Sequence, residues 1–492
     1  MRHDLSAVVI GGGIGGLVTA ARLAKAGYDV DLVEKNADVG GKMGRVCFDD
    51  CTFDTGPSLI TMPFVLEEFF ASMGTDLQTE VPLQPINPAC HYRWLDGTTL
   101  NVPFALDDVA DAIATISPED GPAVERYLAD AEFLYDATKD VFLFNRFDGF
   151  REFLKPRNLP LLRSLPRLRF TSTLHNVHAS LFTSSKVVQL FDRFATYNGS
   201  SPYLAPATLM VIPWVEFGYG AWYPTGGIYT IAEAIARTAA AAGVRIHTST
   251  AVDSIDVVDG RAVAAIAGSQ RFEARHIVSN IDVSHTRRQL LKQPTAPARD
   301  LSMSGVVLLL SVEEEDFGLA HHNVFFSEDY QREFAALFTQ RQLATDMTIY
   351  LSRSCASDSS QAARGRENWF ILVNAPAGIE LTAEQEHAYA QAVLDRLARY
   401  GVRPRVRQMQ IRTPSFHARL WNAEGGAIYG RSSNSMFAAF LRQQQRSAAV
   451  RNLWYVGGSA HPGGGVPLVT LSGSIAAREI LAGDAHTFVH SR

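Results

Sequence analysis

The chain is poor in features that would assign a compartment or a partner from composition. It has four cysteines in 492 residues, Cys47, Cys51, Cys90 and Cys355. One CxxxC spacing without a second pair nearby argues against a zinc or iron–sulfur site, and the scatter fits a reduced setting better than a disulfide framework. No apolar run reaches the length a membrane-spanning helix needs. The first strand-like segment starts within a few residues of Met1, which leaves no room for a secretory leader. Positive charge is not in excess: the net charge of -6 gives no reason to expect nucleic-acid binding. Tandem repeats, low-complexity tails and Gly/Ser linkers are absent. No Ser-His-Asp or paired-carboxylate pattern stands out. The remainder is 47% hydrophobic and 20% charged, an ordinary globular mixture, long enough for two or three domains or one composite fold.

What the chain does have is glycine in telling places. Residues 5–41 read LSAVVIGGGIGGLVTAARLAKAGYDVDLVEKNADVGG. A buried strand over 7–10 runs into Gly11, Gly13 and Gly16, a helix pattern follows, and a second strand over 30–33 ends at Glu34. Gly11 suits a tight strand-to-helix turn, Gly13 the approach of a pyrophosphate, and Gly16 close packing of helix on sheet. The phosphates of a dinucleotide would sit on free N–H groups at the helix start, and Glu34 is placed to accept hydrogen bonds from a ribose. Its charge disfavours a 2′-phosphate there. Gly40, Gly41 and Lys42 follow at once, with Arg45 behind them; both cations suit a diphosphate.

Further along, Asp54 to Ser58 reads as a turn into a loop, and residues 63–70 as a helix. Asp96-Gly97 marks a hairpin within 83–104. Residues 106–140 carry helical spacing, with a helix start at Ser117-Pro118-Glu119-Asp120. Residues 150–175 interleave Arg151, Lys155, Arg157, Arg163, Arg167 and Arg169 with leucines and phenylalanines, a pattern suited to an anionic membrane surface or to an irregular cap helix with a solvated basic face. Gly226 and Gly227 lead into a helix over 229–242. A strand over 244–248 follows, and 251–255 continues toward the same sheet. Residues 262–279 end in a strand emerging at Asn280, so the first domain is built from separate parts of the chain. Strands over 302–312, 346–351 and 369–373 predict a second sheet, and Thr382 to Gln385 a capping box. Near the end, LWYVGGSAHPGGGVPLVTLSG takes a strand through Gly457 and Gly458 into a glycine loop and a helix starting near Leu468. That second helix start predicts a dipole pointed at the cofactor, where it would stabilise negative charge.

Together these segments resemble the bacterial carotenoid desaturase family, the phytoene desaturase type. The matching pieces are the N-terminal glycines, residues 40–45, FDTGPSLITMP at 53–63, AWYPTGG at 221–227, SNID at 279–282, GAIYG at 426–430 and GGSAHPGGGVPLVTLSG at 457–473. AHHNVFFSEDY at 320–330 adds a likeness to two subgroups: hydroxycarotenoid 3,4-desaturases, and oxygenases that oxidise terminal methyl groups of diapocarotenes to aldehydes. The second subgroup often has Asn in place of His461, which inclines the reading to desaturation.

The resemblance implies an α/β fold: a Rossmann-like FAD-binding domain of the amine oxidase type, assembled from residues 1–82, 241–300 and 441–492. A substrate and membrane-associated helical region over 83–240 and a mixed-sheet and helix region over 301–440 complete it. It implies FAD held by Gly11, Gly13, Ile14, Gly15, Gly16, Glu34, Lys35, Gly41, Lys42, Arg45, Gly56, Pro57, Ser58, Val252, Asn280, Gly457, Gly458, Pro467, Leu468 and Val469, and no metal. The expected reaction takes a hydride to flavin N5 and a proton from the adjacent carbon; methyl oxidation is the alternative. The substrate would be a hydrophobic carotenoid drawn from a membrane on whose cytoplasmic side the protein sits peripherally, with oxygen or a quinone as final acceptor. Candidate catalytic side chains are few: His461 in the glycine loop, Glu216 inside an apolar run where an acid needs a partner, and Asp192 with Arg193 as a buried pair. Trp214, Phe217, Tyr219, Trp222 and Tyr223 form a candidate polyene slot.

Overall fold

The computed structural model describes residues 5–147, 149, 152, 155, 171–296, 298, 300–435 and 442–490, without the side chains of 486–490. The basic, apolar stretch at 150–175 therefore lies almost wholly outside the described residues, which retain only Glu152, Lys155 and 171–175 of it.

Five parallel strands form the first sheet, in the order Leu453–Tyr455, His276–Ser279, Ser6–Ile10, Asp29–Val33 and Arg245–His247. The central strand Ser6–Ile10 is buried throughout, as a run apolar from Ala7 onward and covered on both faces should be. Helix Ile14–Lys25 lies against helices Tyr229–Ala241 and Val466–His490. Its contact with the sheet depends on Gly16, where a Cβ would stand 2.3 Å from the Gly11 carbonyl oxygen.

The C-terminal helix is tied to this sheet by one carboxylate. Asp484 accepts the Tyr28 hydroxyl at 2.6 Å, faces His276 Nε2 at 3.0 Å and pairs with Arg275 at 2.9 Å. Asp484→Ala removes the acceptor these three groups share in a largely buried site and is expected to lower stability by about 3 kcal/mol, read as a shift in the urea midpoint at unchanged slope.

The second sheet has seven strands, in the order Val406–Arg412, Ser304–Glu313, Arg366–Ala375, Ile349–Ser352, His322–Phe325, Cys90–Arg93 and Thr99–Val102. All pairs are antiparallel except His322–Phe325 with Cys90–Arg93. The Asp96-Gly97 hairpin thus forms the edge of this sheet. Side chains alternate between its faces. Trp369, Ile371 and Val373 pack on helix Ala383–Arg399 through Tyr389, Ala390, Val393 and Leu397, while Phe370, Leu372 and Asn374 face a cavity. That helix begins with the expected capping box, Thr382 and Gln385 bonding each other's backbone N–H.

Three local expectations need correction. Residues 251–253 are not a strand; Ser254–Val258 belongs to a separate three-stranded antiparallel sheet with Arg261–Ala267 and Gln270–Glu273. The chain before it is held across the end of the first sheet, Thr250 N–H donating to the Glu34 carbonyl at 2.8 Å. The long helix starts at Gly121, after the expected Ser117-Pro118 start, because the Asp120 carboxylate accepts Ser117 Oγ and the N–H groups of Thr183 and Ser184 at 2.8, 2.7 and 2.9 Å. Pro122 takes the early helical position where a missing N–H costs nothing. The last helix begins at Val466, two residues before Leu468, so Pro467 is already within its first turn.

Candidate functional site

A cavity of about 690 Å³ runs from the ends of the parallel strands to the face of the mixed sheet. Every position expected to hold FAD lines it except Gly16, which acts through helix packing, and Arg45. Arg45 pairs with Glu233 at 3.0 Å and lies over the Tyr229 ring, because its strand Arg45–Phe48 turns away to pair with Cys51–Asp54.

At one end Glu34 is fixed by two backbone donors. Oε2 accepts Gly12 N–H at 2.7 Å and Oε1 accepts Asn36 N–H at 2.8 Å. Each oxygen keeps a lone pair for a hydroxyl, with Thr250, Ala251 and Val252 beside it. Lys35 lines the same end, yet its ammonium is held by the Arg419 carbonyl at 2.8 Å and Asn422 Oδ1 at 2.9 Å. Next comes the glycine turn. Helix Ile14–Lys25 starts at Gly13, which brings no side-chain cap, so first-turn N–H groups stay free for an anion. Asn280 joins this turn to the C-terminal one: its Nδ2 donates to the Gly11 carbonyl at 3.2 Å, and its Oδ1 lies 2.6 Å from where a Gly457 Cβ would be. Gly457, Gly458 and the start of helix Val466–His490 form the opposite wall. A ribose acceptor, uncapped amides and a second helix start along one channel are the donor set an FAD requires.

Lys42 is half-buried, its ammonium lodged between the carbonyls of Ile428 and Ala427 and the Trp421 ring, 5.5 Å away. Burial pushes its ammonium down to about 8, with Asp282 pulling the other way. Sequence reasoning missed Asp282, which caps Ser284 N–H at 2.9 Å, and Arg442. The Arg442 guanidinium spans the Tyr429 and Gly458 carbonyls at 3.1 and 3.2 Å and Asn198 Oδ1 at 3.0 Å. Burial lowers it to about 10. The SNID segment contains Asp282 without singling it out, and nothing local marks Arg442; long-range folding brings them together.

Beyond the glycine loops the cavity turns apolar. Leu134, Thr138 and Phe142 face it from helix Gly121–Phe142, Val211, Ile212, Val215 and Glu216 from helix Val211–Tyr219, and Val307, Phe370 and Leu372 from the sheet. The expected aromatic slot is not formed. Helical phase turns Phe217 into the core against Phe191 and Phe194; Trp222 meets Phe104, and the Tyr223 hydroxyl donates to Asp54 at 2.7 Å. Trp214 and Tyr219 pack beside Phe64 outside the lining.

The four candidate catalytic groups separate. His461 lines the cavity, but its Nε2–H is engaged by the Asn145 carbonyl at 2.9 Å, and burial lowers it to about 4, so the ring is neutral and orders the loop. Asp192 does not pair with Arg193 and does not line the cavity; it bonds Nδ1 of His175 and of His178 at 2.6 and 2.7 Å. Consecutive residues on a helix point about 100° apart, which keeps these two side chains on different faces. Arg193 and Glu216 both line the cavity, joined by Tyr197: Arg193 donates to the Tyr197 hydroxyl at 3.3 and 3.2 Å, and Tyr197 donates to Glu216. Burial raises the Glu216 carboxyl above its usual range, against the pull of Arg193.

Comparison with known proteins agrees with this geometry. The family model for flavin containing amine oxidoreductase matches residues 14–481. The chain is 34% identical over 479 residues to a 1-hydroxycarotenoid 3,4-desaturase of Flavobacterium sp. (strain P99-3), covering 96% of this chain and 98% of that one. It is 34% identical over 487 residues to a 4,4'-diapolycopene oxygenase of Methylomonas sp, covering 96% and 98%. Cyclohexylamine oxidase from Brevibacterium oxydans shares the fold, with a TM-score of 0.59 at 15% identity over 97% of this chain and all of that one. The chain belongs to the flavin-containing amine oxidoreductase family, in its carotenoid desaturase and oxygenase branch, and is an FAD-dependent oxidoreductase.

Proposed function

We propose that this protein is a carotenoid desaturase that binds FAD along the glycine-lined channel and converts a C–C bond beside a polyene to C=C. The observation that carries the reading is one continuous cavity with Glu34, Gly11, Gly13, Gly458 and Leu468 at one end and the apolar wall of Leu134, Val215 and Phe370 at the other. FAD bound there supplies the hydride acceptor at N5. The protein's part is alignment and dryness: Val211, Ile212, Val215 and Leu372 hold an apolar chain and exclude water. The adjacent proton needs only a modest base, since conjugation spreads the developing positive charge. A buried carboxyl such as Glu216, with its pKa raised, fits that demand. The equal identity to an oxygenase supports oxidation of a terminal methyl group as the second reading. Product mass from carotene-loaded membranes, with and without oxygen, separates them: loss of hydrogen marks desaturation, gain of oxygen marks the alternative.

The proposal extends to a peripheral position on the cytoplasmic face of a membrane, supported by the basic, apolar composition of 150–175. Among the described residues no helix is long and apolar enough to cross a membrane. Oxygen or a quinone would reoxidise the flavin, and reoxidation rates with each acceptor distinguish them.

Lys42 gives a pH test of the cofactor channel. Its cationic form favours an anionic diphosphate, and its folded value of about 8 means that charge is present below that pH and lost above it. Flavin retention on dialysis is expected to fall as pH rises through about 8. Lys42→Met is expected to hold flavin weakly at every pH, without that step.

A further inference from the structure

Among the described residues, Arg193 is a cationic side chain that lines the cavity beside its apolar wall. It is 7% exposed, and no carboxylate lies within 4.0 Å of it among the described residues. Its guanidinium sits 5.3, 5.3 and 5.2 Å from the ring centres of Tyr92, Phe194 and Tyr197. Both of its hydrogen bonds to Tyr197 end on the same hydroxyl oxygen, at long distances of 3.3 and 3.2 Å. The Cys90 sulfur beside it is a weak acceptor, and the Tyr92 and Glu216 oxygens act on Arg193 through charge without a hydrogen bond among the described residues. A guanidinium has five N–H donors, so this one is under-supplied with oxygen in a place where a charged donor left unmatched is costly.

A second group shares the condition. Tyr330 lines the same cavity, and its buried hydroxyl has no hydrogen-bond partner among the described residues. Glu216 attracts Arg193 only across the intervening Tyr197, whose hydroxyl it accepts, and offers no oxygen to the guanidinium itself. An entirely hydrocarbon occupant would leave Arg193 and Tyr330 facing methyl groups. An occupant with an acceptor oxygen at its end would complete both.

We propose that Arg193, steadied by Tyr197 and Glu216 and assisted by Tyr330, forms a subsite for an oxygen-bearing end group of the polyene. The site selects substrates by that oxygen. This rests on the reading of the cavity as a polyene site. The shared chemistry is a hydrogen-bond acceptor; hydroxyl, aldehyde and carboxylate ends are the sources to be distinguished. Arg193 acts here on affinity and orientation.

The test uses the purified flavoprotein and polyenes of matched length that differ only at the end: hydrocarbon, hydroxyl, aldehyde and carboxylate. Binding is read from the change in polyene absorption, with flavin content as the check on folding. The wild-type protein is expected to bind at least one oxygenated end about tenfold more tightly than the hydrocarbon, the size of one good charged hydrogen bond. In Arg193→Gln and in Tyr197→Phe that ratio is expected to fall toward one. Equal binding of all ends by the wild type would overturn the subsite, as would an undiminished ratio in Arg193→Gln or, should that variant lose its flavin, in Tyr197→Phe. Failure of the desaturase reading shows separately, as no polyene reducing the bound flavin without oxygen, and the end-group binding ratio is still read.

Discussion

A Gly13→Val variant is expected to fold and to purify colourless. The position starts the helix whose free amides face the cavity, and a Cβ there would stand 2.7 Å from Asn280 Nδ2. The Asn280 side chain can yield, so the fold survives, but the added isopropyl group occupies the space a pyrophosphate must enter. Flavin affinity should drop about 100-fold or more, equivalent to about 2.7 kcal/mol. The comparison is Gly16→Val, whose Cβ would meet the Gly11 carbonyl oxygen at 2.3 Å. That clash is with backbone, and the expected result is loss of the folded protein itself. Flavin absorbance against circular dichroism separates the two. A colourless Gly13→Val with native secondary structure places the cofactor at the turn; a fully flavinylated one removes it from there.

The second large effect lies at the far end of the cavity. Val215→Arg sets a guanidinium on the apolar wall formed by Val211, Ile212 and Leu372. Charge in that place repels a hydrocarbon chain and admits water. Turnover of a polyene is expected to fall by about 100-fold or more, while flavin content is retained, because Val215 lies on helix Val211–Tyr219, apart from the glycine turns. Val215→Leu keeps the wall apolar and is expected to cause a much smaller change. Measuring flavin content and polyene turnover on the same samples is therefore decisive, since a general loss of folding would lower both together.

What the sequence makes legible is local. Gly11, Gly13, Gly16 and Glu34 lie within one strand–helix–strand unit, and their roles follow from spacing. The Thr382 and Gln385 capping box closes within four residues. Asp96-Gly97 announces its turn for the same reason. The cavity wall is a different problem, because which face of a segment meets it depends on distant partners. The aromatic run at 214–223 reads as a slot in composition, yet the phase of its helix presents Val211, Ile212, Val215 and Glu216 to the cavity and buries Phe217. Adjacency also misleads: Asp192 and Arg193 are neighbours in sequence, and the fold gives the acid to two histidines while leaving the base facing the cavity. Arg442 and Asp282 stand 160 residues apart; Asp282 closes the SNID segment and Arg442 lies in no motif, and neither reads as a site residue from its neighbours. Their place beside Lys42 and Gly458 follows from how the strand ends His276–Ser279 and Leu453–Tyr455 meet in one sheet.

The most direct test is a single turnover without oxygen. Flavoprotein is mixed with a limiting polyene, the flavin absorbance is followed, and the product is weighed by mass spectrometry. Desaturation predicts that the flavin bleaches in proportion to substrate consumed and that each product molecule is lighter by two hydrogens per flavin reduced. A flavin that stays oxidised while every polyene offered is recovered unchanged, or product that forms only when oxygen is admitted and carries an added oxygen atom, would contradict it.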